Sequence, residues 1–173
     1  MLTINFSPFP ILETERLILR RVLPSDVKEM FELRSNPETM KYIPRPLVTN
    51  YDEALAHIKM MEDKIETNEG INWAITIKGD DKMLGVIGHY RIKPEHYRAE
   101  VGYMILPEYQ GDGAATVALD EIIKLAADKK KKAVRLDAIG TNVPAQKLYE
   151  KYGFVNCGTA QEYYESTGET EFV

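Results

Sequence analysis

The stretch Tyr109-Gln110-Gly111-Asp112-Gly113-Ala114-Ala115-Thr116 holds the residues whose types and spacing carry the most chemistry. Two glycines and two alanines strip side-chain bulk from the point where a strand hands over to a helix. Successive backbone N–H groups can then face outward at the positive end of the helix dipole, which makes an anion site, most naturally for phosphate. The plainer reading is a glycine turn that only redirects the chain. Three phosphate loops compete for the segment. A Walker loop requires a Gly-Lys-Ser/Thr ending, which is absent. A dinucleotide fingerprint finds two of its glycines in Gly111 and Gly113 and a ribose-binding acid in Asp137, but Thr116 stands where its third glycine belongs.

The third loop fits best. Gln110-x-x-Gly113-x-Ala115 matches the Q/R-x-x-G-x-G/A signature of the GNAT superfamily of N-acyltransferases, and three further segments look like that family in the right order. They are Thr14-Glu15-Arg16-Leu17, Ala99-Glu100-Val101-Gly102-Tyr103, and Asn142-x-x-Ala145-x-x-Leu148-Tyr149-x-Lys151-x-Gly153-Phe154. The chain thus resembles a GNAT N-acetyltransferase over nearly its whole length, and is most similar to the branch that includes the ribosomal-protein N-terminal (Rim-type) acetyltransferases. The resemblance implies acetyl-CoA as co-substrate and no metal. Its pyrophosphate would lie on Gln110, Gly111, Asp112, Gly113, Ala114, Ala115 and Thr116. Asp112 departs from relatives in which that position is often basic; a carboxylate beside a pyrophosphate is repulsive by ~1 kcal/mol at 4 Å in water.

Acetyl transfer from a thioester to an amine needs a neutral amine, an oxyanion stabiliser and a proton for the departing thiolate. An α-amine of pKa ~8 is roughly 10% neutral at pH 7, and a lysine at ~10.4 well under 0.1%, so a protein N-terminus or a low-pKa small amine asks less of a base. Val101, Tyr103 and Ile105 suggest one face of a strand, leaving Glu100 and Gly102 on the other. In the resembled family such a glutamate acts as base or water-positioner, which makes Glu100 the general-base candidate; the plain alternative is a strand carboxylate facing solvent or pairing Arg98. Tyr149 falls where many relatives place the tyrosine that protonates the coenzyme thiolate, a transfer uphill by ~2 kcal/mol with free-group pKa values. A tyrosine that only packs its helix is the alternative. Ala145 stands where the Rim-type branch often has serine, which shifts the acid's role to Tyr149. Asn142 matches the family asparagine that hydrogen-bonds the coenzyme, and is also a common helix cap. Backbone N–H groups of Met104, Ile105 and Leu106, where the family's strand bulges, would bind the thioester oxygen. A catalytically silent acyl-CoA-binding or interaction protein on the same scaffold is the alternative from another class.

These groups need a framework. Arg16–Arg21 reads as a first strand, and Pro24-Ser25-Asp26 opens a helix with Ser25 as cap and Val27, Met30, Phe31 and Leu33 on its buried side. Asn36-Pro37-Glu38 starts a short second helix. Leu55, Ile58, Met61 and Ile65 recur at helical spacing from Tyr51 to about Thr67, with Gly70 ending the element. The period then becomes two: Ile71, Trp73, Ile75 and Ile77 alternate with Asn72, Ala74, Thr76 and Lys78, and strands follow over Met83–Ile92 and Ala99–Leu106. Helix Ala114–Asp128, strand Val134–Ile139 and helix Pro144–Tyr152 come next, with strand character returning at Phe154 and near Phe172. The fold class is mixed α-β (α+β): a mostly antiparallel, twisted, mixed sheet with helices on both faces, as in the GNAT (acyl-CoA N-acyltransferase) fold.

Bulk properties narrow the rest. A chain of 173 residues suits one domain, 1–173, below the roughly 250–300 residues at which cores split. Lys+Arg 22 against Asp+Glu 27 gives −5, so no basic surplus points to nucleic acid, and Lys129–Lys132 suits a solvated helix end. No apolar run approaches ~18 residues and the N-terminus lacks a signal-peptide pattern, so the expected location is the cytoplasm, away from the membrane. The single Cys157 fits a reducing compartment and is expected at least partly buried. His57, His89 and His96 share no metal-ligand spacing with it. Trp73 is expected in the core. Glu162, Tyr163, Tyr164, Glu165, Glu169 and Glu171 form an acidic, aromatic tail. Dimers are common in the resembled branch, so the resemblance leans towards a homodimer.

Overall fold

The computed structural model describes residues 3–96, 98–111, 113–114, 116–119, 121, 142–151, 153–158, 161–164 and 169–172. Five antiparallel strands form one sheet in the order β1 (Leu12–Glu13), β2 (Leu17–Arg21), β3 (Ile71–Ile77), β4 (Gly85–Lys93) and β5 (Arg98–Ile105). Between β2 and β3 run α1 (Val27–Ser35), the one-turn α2 (Pro37–Met40) and α3 (Tyr51–Glu66). After β5 come helical residues at 114, 116–119 and 121, and then α4 (Val143–Lys151). A separate antiparallel hairpin, β6 (Gln161–Tyr164) and β7 (Glu169–Phe172), closes the described chain.

Successive strand residues point to opposite faces of the sheet, and both faces are covered here. Leu19, Ile75, Ile87, Val101 and Ile105 pack with Ala118, Leu119, Ala145 and Tyr149 in one layer. Their chain neighbours Ala74, Val86 and Met104 pack with Met30, Leu33, Ile58 and Met61 in the other. The alternation along β3 therefore does not mark one wet face: Asn72 and Thr76 are buried with the apolar residues, because the strand is central and helices lie on both sides. Thr76 satisfies its hydroxyl by donating to the Ile18 carbonyl at 3.1 Å. Trp73 is fully buried, as expected, and its Nε1 donates to the Pro10 carbonyl at 2.7 Å.

The element boundaries show which local signals held. Asn36 caps α2 as its spacing predicts, its Oδ1 accepting the Glu38 and Thr39 N–H groups. Ser25 is not the cap of α1. The neighbouring Asp26 is buried instead, accepting from the Leu23 N–H at 2.8 Å and from Nη1 and Nη2 of Arg20, each at 2.8 Å. On α3 the buried stripe is Ala54, Ile58, Met61 and Ile65, and Leu55 is exposed. The left-handed residue after α3 is Asn68 (φ 58°) rather than Gly70. Met83 and Leu84 lead into β4 as buried residues outside the strand. Phe154 precedes irregular chain, and the late strands are those of the hairpin. Cys157 is exposed, contrary to expectation, because it lies in that irregular segment. The Val134–Ile139 strand, Asp137 and the lysine run lie outside the described residues, as do Asp112 and Ala115.

Candidate active site

A cleft of about 660 Å³ is lined by β5 from Glu100 to Ile105. At about 3.3 Å per residue those six residues span roughly 17 Å, which gives the cleft two distinct ends. The Ile105 end meets the glycine loop, and the Glu100 end faces its register partner Tyr90 and the helices α1–α3.

Backbone geometry builds the loop end. A short 3-10 turn, Pro107–Tyr109, leads into Gln110, whose Nε2 donates to the Ile105 carbonyl at 3.0 Å and ties the loop to the strand. Gly111 (φ 92°) and Gly113 (φ 77°) take left-handed conformations that an L side chain resists by about 1–2 kcal/mol. The Val117 N–H donates to the Gly113 carbonyl at 3.0 Å, so the helix starts here, and its first N–H groups have no partner within the helix. Gln110, Gly111, Gly113, Ala114 and Thr116 all line the cleft.

The strand groups come out differently from expectation. No bulge lies at Met104–Leu106: the register is regular through Val86↔Met104 and Gly85↔Ile105, and its irregularity lies between Tyr90 and Lys93. The Leu106 N–H donates to the Leu84 carbonyl at 2.9 Å, so it is engaged. Alternation in an antiparallel ladder turns Met104 toward β4 as well and turns Ile105 away from it. The Ile105 carbonyl accepting from Gln110 agrees with this. Of the three proposed N–H donors, Ile105 alone faces the side where a thioester oxygen could be held.

Glu100 and Tyr149 both line the cleft but reach it from opposite sheet faces. Glu100 has the same strand parity as Met104, which packs toward α1–α3, whereas Tyr149 belongs to the other layer. Tyr149 is only 8% exposed and its ring centroid lies 6.2 Å from that of Phe154, so the side chain packs its helix and lines the cleft at once. Glu100 is partnered by Arg91, whose Nη1 lies 3.3 Å from Glu100 Oε2; the Arg98 side chain lies outside the described residues. Arg91 is placed there by the β4 irregularity, where its φ is 43°. Asn142 Oδ1 accepts the Ala145 N–H at 3.3 Å and so caps α4, holding Asn142 at the cleft edge with Ala145.

The Glu100 end holds groups that motif reading missed. Arg34, Thr39, Arg45, His57 and Tyr90 line it. Burial, then the charges of Arg34, Arg45 and Lys64, push the His57 imidazole down to about 4. Burial pushes the Tyr90 phenol up to about 12, with Arg34 and Arg45 pulling the other way. One signal was available: Arg34 follows Met30 and Leu33 on α1 at helical spacing, a charge set within an apolar stripe. Among the described residues, no three metal-ligating side chains form a cluster.

The family model of the acetyltransferase (GNAT) domain matches residues 16–155. An uncharacterized N-acetyltransferase of Bacillus subtilis (strain 168), YoaA, is 30% identical over 165 residues, 92% of this chain and 91% of that protein. Among solved structures, RimL, a ribosomal L7/L12 alpha-N-protein acetyltransferase, superposes with a TM-score of 0.78 at 18% identity, covering 94% of this chain and 91% of that one. The microcin C7 self-immunity acetyltransferase MccE, in complex with acetyl-CoA and AMP, superposes with a TM-score of 0.79 at 18% identity, covering 92% and 91%. The sheet, its two helical layers and the glycine loop define an acyltransferase scaffold. The chain belongs to the GNAT family and is an N-acetyltransferase.

Proposed function

We propose that this protein transfers acetyl from acetyl-CoA directly to a primary amine, a protein N-terminal α-amine or a small-molecule amine, bound with it in one cleft. The observation that carries this reading is the continuity of the cleft. A backbone-built anion loop at Gly111–Gly113, the outward Ile105 N–H, Glu100 and Tyr149 all line one cavity. Acetyl-CoA supplies an activated acyl group and a thiolate leaving group; the chain supplies position and protons. The loop N–H groups and the helix start hold the pyrophosphate. The Ile105 N–H donates to the thioester oxygen as its charge develops. Glu100, with Arg91 beside it, takes the amine proton through a chain of waters along the cleft. Tyr149 returns a proton to the departing sulfur from the opposite face, so acid and base do not compete for one position. Asn142 fixes the start of α4 and hence Tyr149. The enzyme works in the cytoplasm on this reading, with a homodimer as its expected assembly.

Thermal unfolding with acetyl-CoA, NAD and ATP in parallel tests the coenzyme. A ligand at 100 times its Kd adds ~2.7 kcal/mol, or roughly 5–10 °C for a domain of this size. A shift with acetyl-CoA alone supports the reading, and a shift with NAD alone overturns it. Glu100→Gln and Tyr149→Phe then test the proton relay: each lowers kcat while acetyl-CoA affinity holds. A silent acyl-CoA-binding protein would show the affinity without any turnover to lose.

A further inference from the structure

Arg34 is the most unusual group in the cleft. It is 6% exposed, yet no carboxylate pairs with it among the described residues. Its Nη1 donates to the Met40 sulfur, a weak acceptor, at 3.4 Å, and its Nη2 donates to the Pro46 carbonyl at a long 3.4 Å. Its Nε, buried, has no hydrogen-bond partner. A guanidinium carries five donors and no acceptor, and a buried charge without a counter-charge is an expensive arrangement that a bound anion would relieve. Thr39 Oγ1, also buried and without a partner, lines the same end.

The neighbouring groups do not neutralise it. His57 carries no charge at neutral pH, since burial and the surrounding cations hold it down, and the raised Tyr90 phenol stays protonated. Arg45 and Lys64 add positive charge at the same wall. Among the described residues, the carboxylates that line the cleft are Glu38 and Glu69, both exposed, and Glu100, which faces Arg91. Four cations, Arg34, Arg45, Lys64 and Arg91, thus face three carboxylates along the described lining, and the buried one, Arg34, is the one without a carboxylate among the described residues.

We propose that the Glu100 end of the cleft selects acceptor amines that also bear an anionic group, a carboxylate or a phosphate, seated on Arg34 with Arg45 and Thr39 beside it. This rests on the acetyl-transfer reading and narrows its acceptor class. A charged oxygen on the cleft side of the Arg34 guanidinium would supply the counter-charge that the described residues lack and accept short, charge-assisted hydrogen bonds from it. The bound anion would orient the amine toward Glu100 and away from solvent.

Matched amines that differ only in the anion test this: β-alanine against β-alaninamide, O-phosphoethanolamine against ethanolamine, and the dipeptide amides Ser-Asp against Ser-Asn. Each pair is run for CoA thiol release, and for thermal shift at about 10 mM with CoA present. The expected result is a preference of about 10-fold or more in kcat/KM for the anionic member, with a shift from that member only. The first two pairs distinguish carboxylate from phosphate as the preferred anion. Arg34→Met, which keeps the apolar stem, removes the preference and leaves acetyl-CoA affinity unchanged; exposed Arg45→Gln reduces it without risk to the core. Equal use of both members, preference for the neutral one, or no turnover and no shift from any probe overturns the inference. Failure of acetyl-CoA itself to shift the wild-type protein would instead overturn the acetyl-transfer reading.

Discussion

The two ends of the cleft are built on different principles. The Ile105 end is made of main chain: two left-handed glycines, a helix start and one strand N–H, with Gln110 as the tie to the Ile105 carbonyl. The Glu100 end is made of side chains brought from α1, α2, α3 and β4, among them Arg34, Thr39, His57 and Tyr90. A main-chain site suits a partner common to a whole family, because its donors do not depend on residue identity. A side-chain site suits a partner that differs from member to member. On the proposed reading the first holds the coenzyme and the second chooses the acceptor, and acyl transfer takes place where the two meet.

The largest expected effect sits at that junction. Tyr149→Phe lowers kcat by about 10²–10⁴-fold, equivalent to ~3–5 kcal/mol, with the Kd for acetyl-CoA within about 2-fold of wild type. Calorimetric binding beside a thiol-release assay checks both. Equal losses in the two would place Tyr149 with the coenzyme end and remove the division.

The next effect separates the ends by pH. Folding lowers the His57 pKa from 6.5 to about 4, so between these values the unfolded chain takes up the proton first. Stability from this group is therefore constant above about pH 6.5 and falls as the pH drops toward 4, by about 3 kcal/mol at most. Denaturant titrations at stepped pH measure it, and His57→Gln flattens that part of the profile. Strengthening on acidification would show that His57 has found an anion.

Smaller effects belong to the loop. Gly113→Val forces a branched side chain into φ 77°, which costs about 1–2 kcal/mol and weakens acetyl-CoA binding roughly 5- to 30-fold while leaving the acceptor preference intact. Gln110→Ala removes one partly buried hydrogen bond and weakens the same binding by about 1 kcal/mol, roughly 5-fold. Isothermal titration of both variants with acetyl-CoA measures the losses. A change in acceptor choice with either variant would merge the two ends into one coupled site.

Legibility follows the same division. Gly111 and Gly113 were visible because a left-handed turn before a helix leaves little choice of residue. Asn36 was visible because a cap is a contact between near neighbours. Asp26 was not, because its partner Arg20 lies across a turn on β2 and its burial depends on tertiary packing. Arg34 was half-legible: helical spacing puts a charge on the apolar side of α1, but nothing local says that α2 and β4 close around it.

The sequence by itself determined the family, the order of strands and helices from β2 through β5, the glycine loop and the candidate pair Glu100 and Tyr149. Each rests on residue type and short spacing, which local sterics and periodicity enforce. Only the tertiary structure decided that Glu100 meets Arg91, that Ile105 rather than Leu106 turns its N–H outward, and that β3 is buried on both faces. It also decided that an arginine without a carboxylate partner among the described residues lines the far end of the cleft. Those facts depend on register, on one strand irregularity and on which elements pack together, and these are set by contacts between residues far apart in the chain.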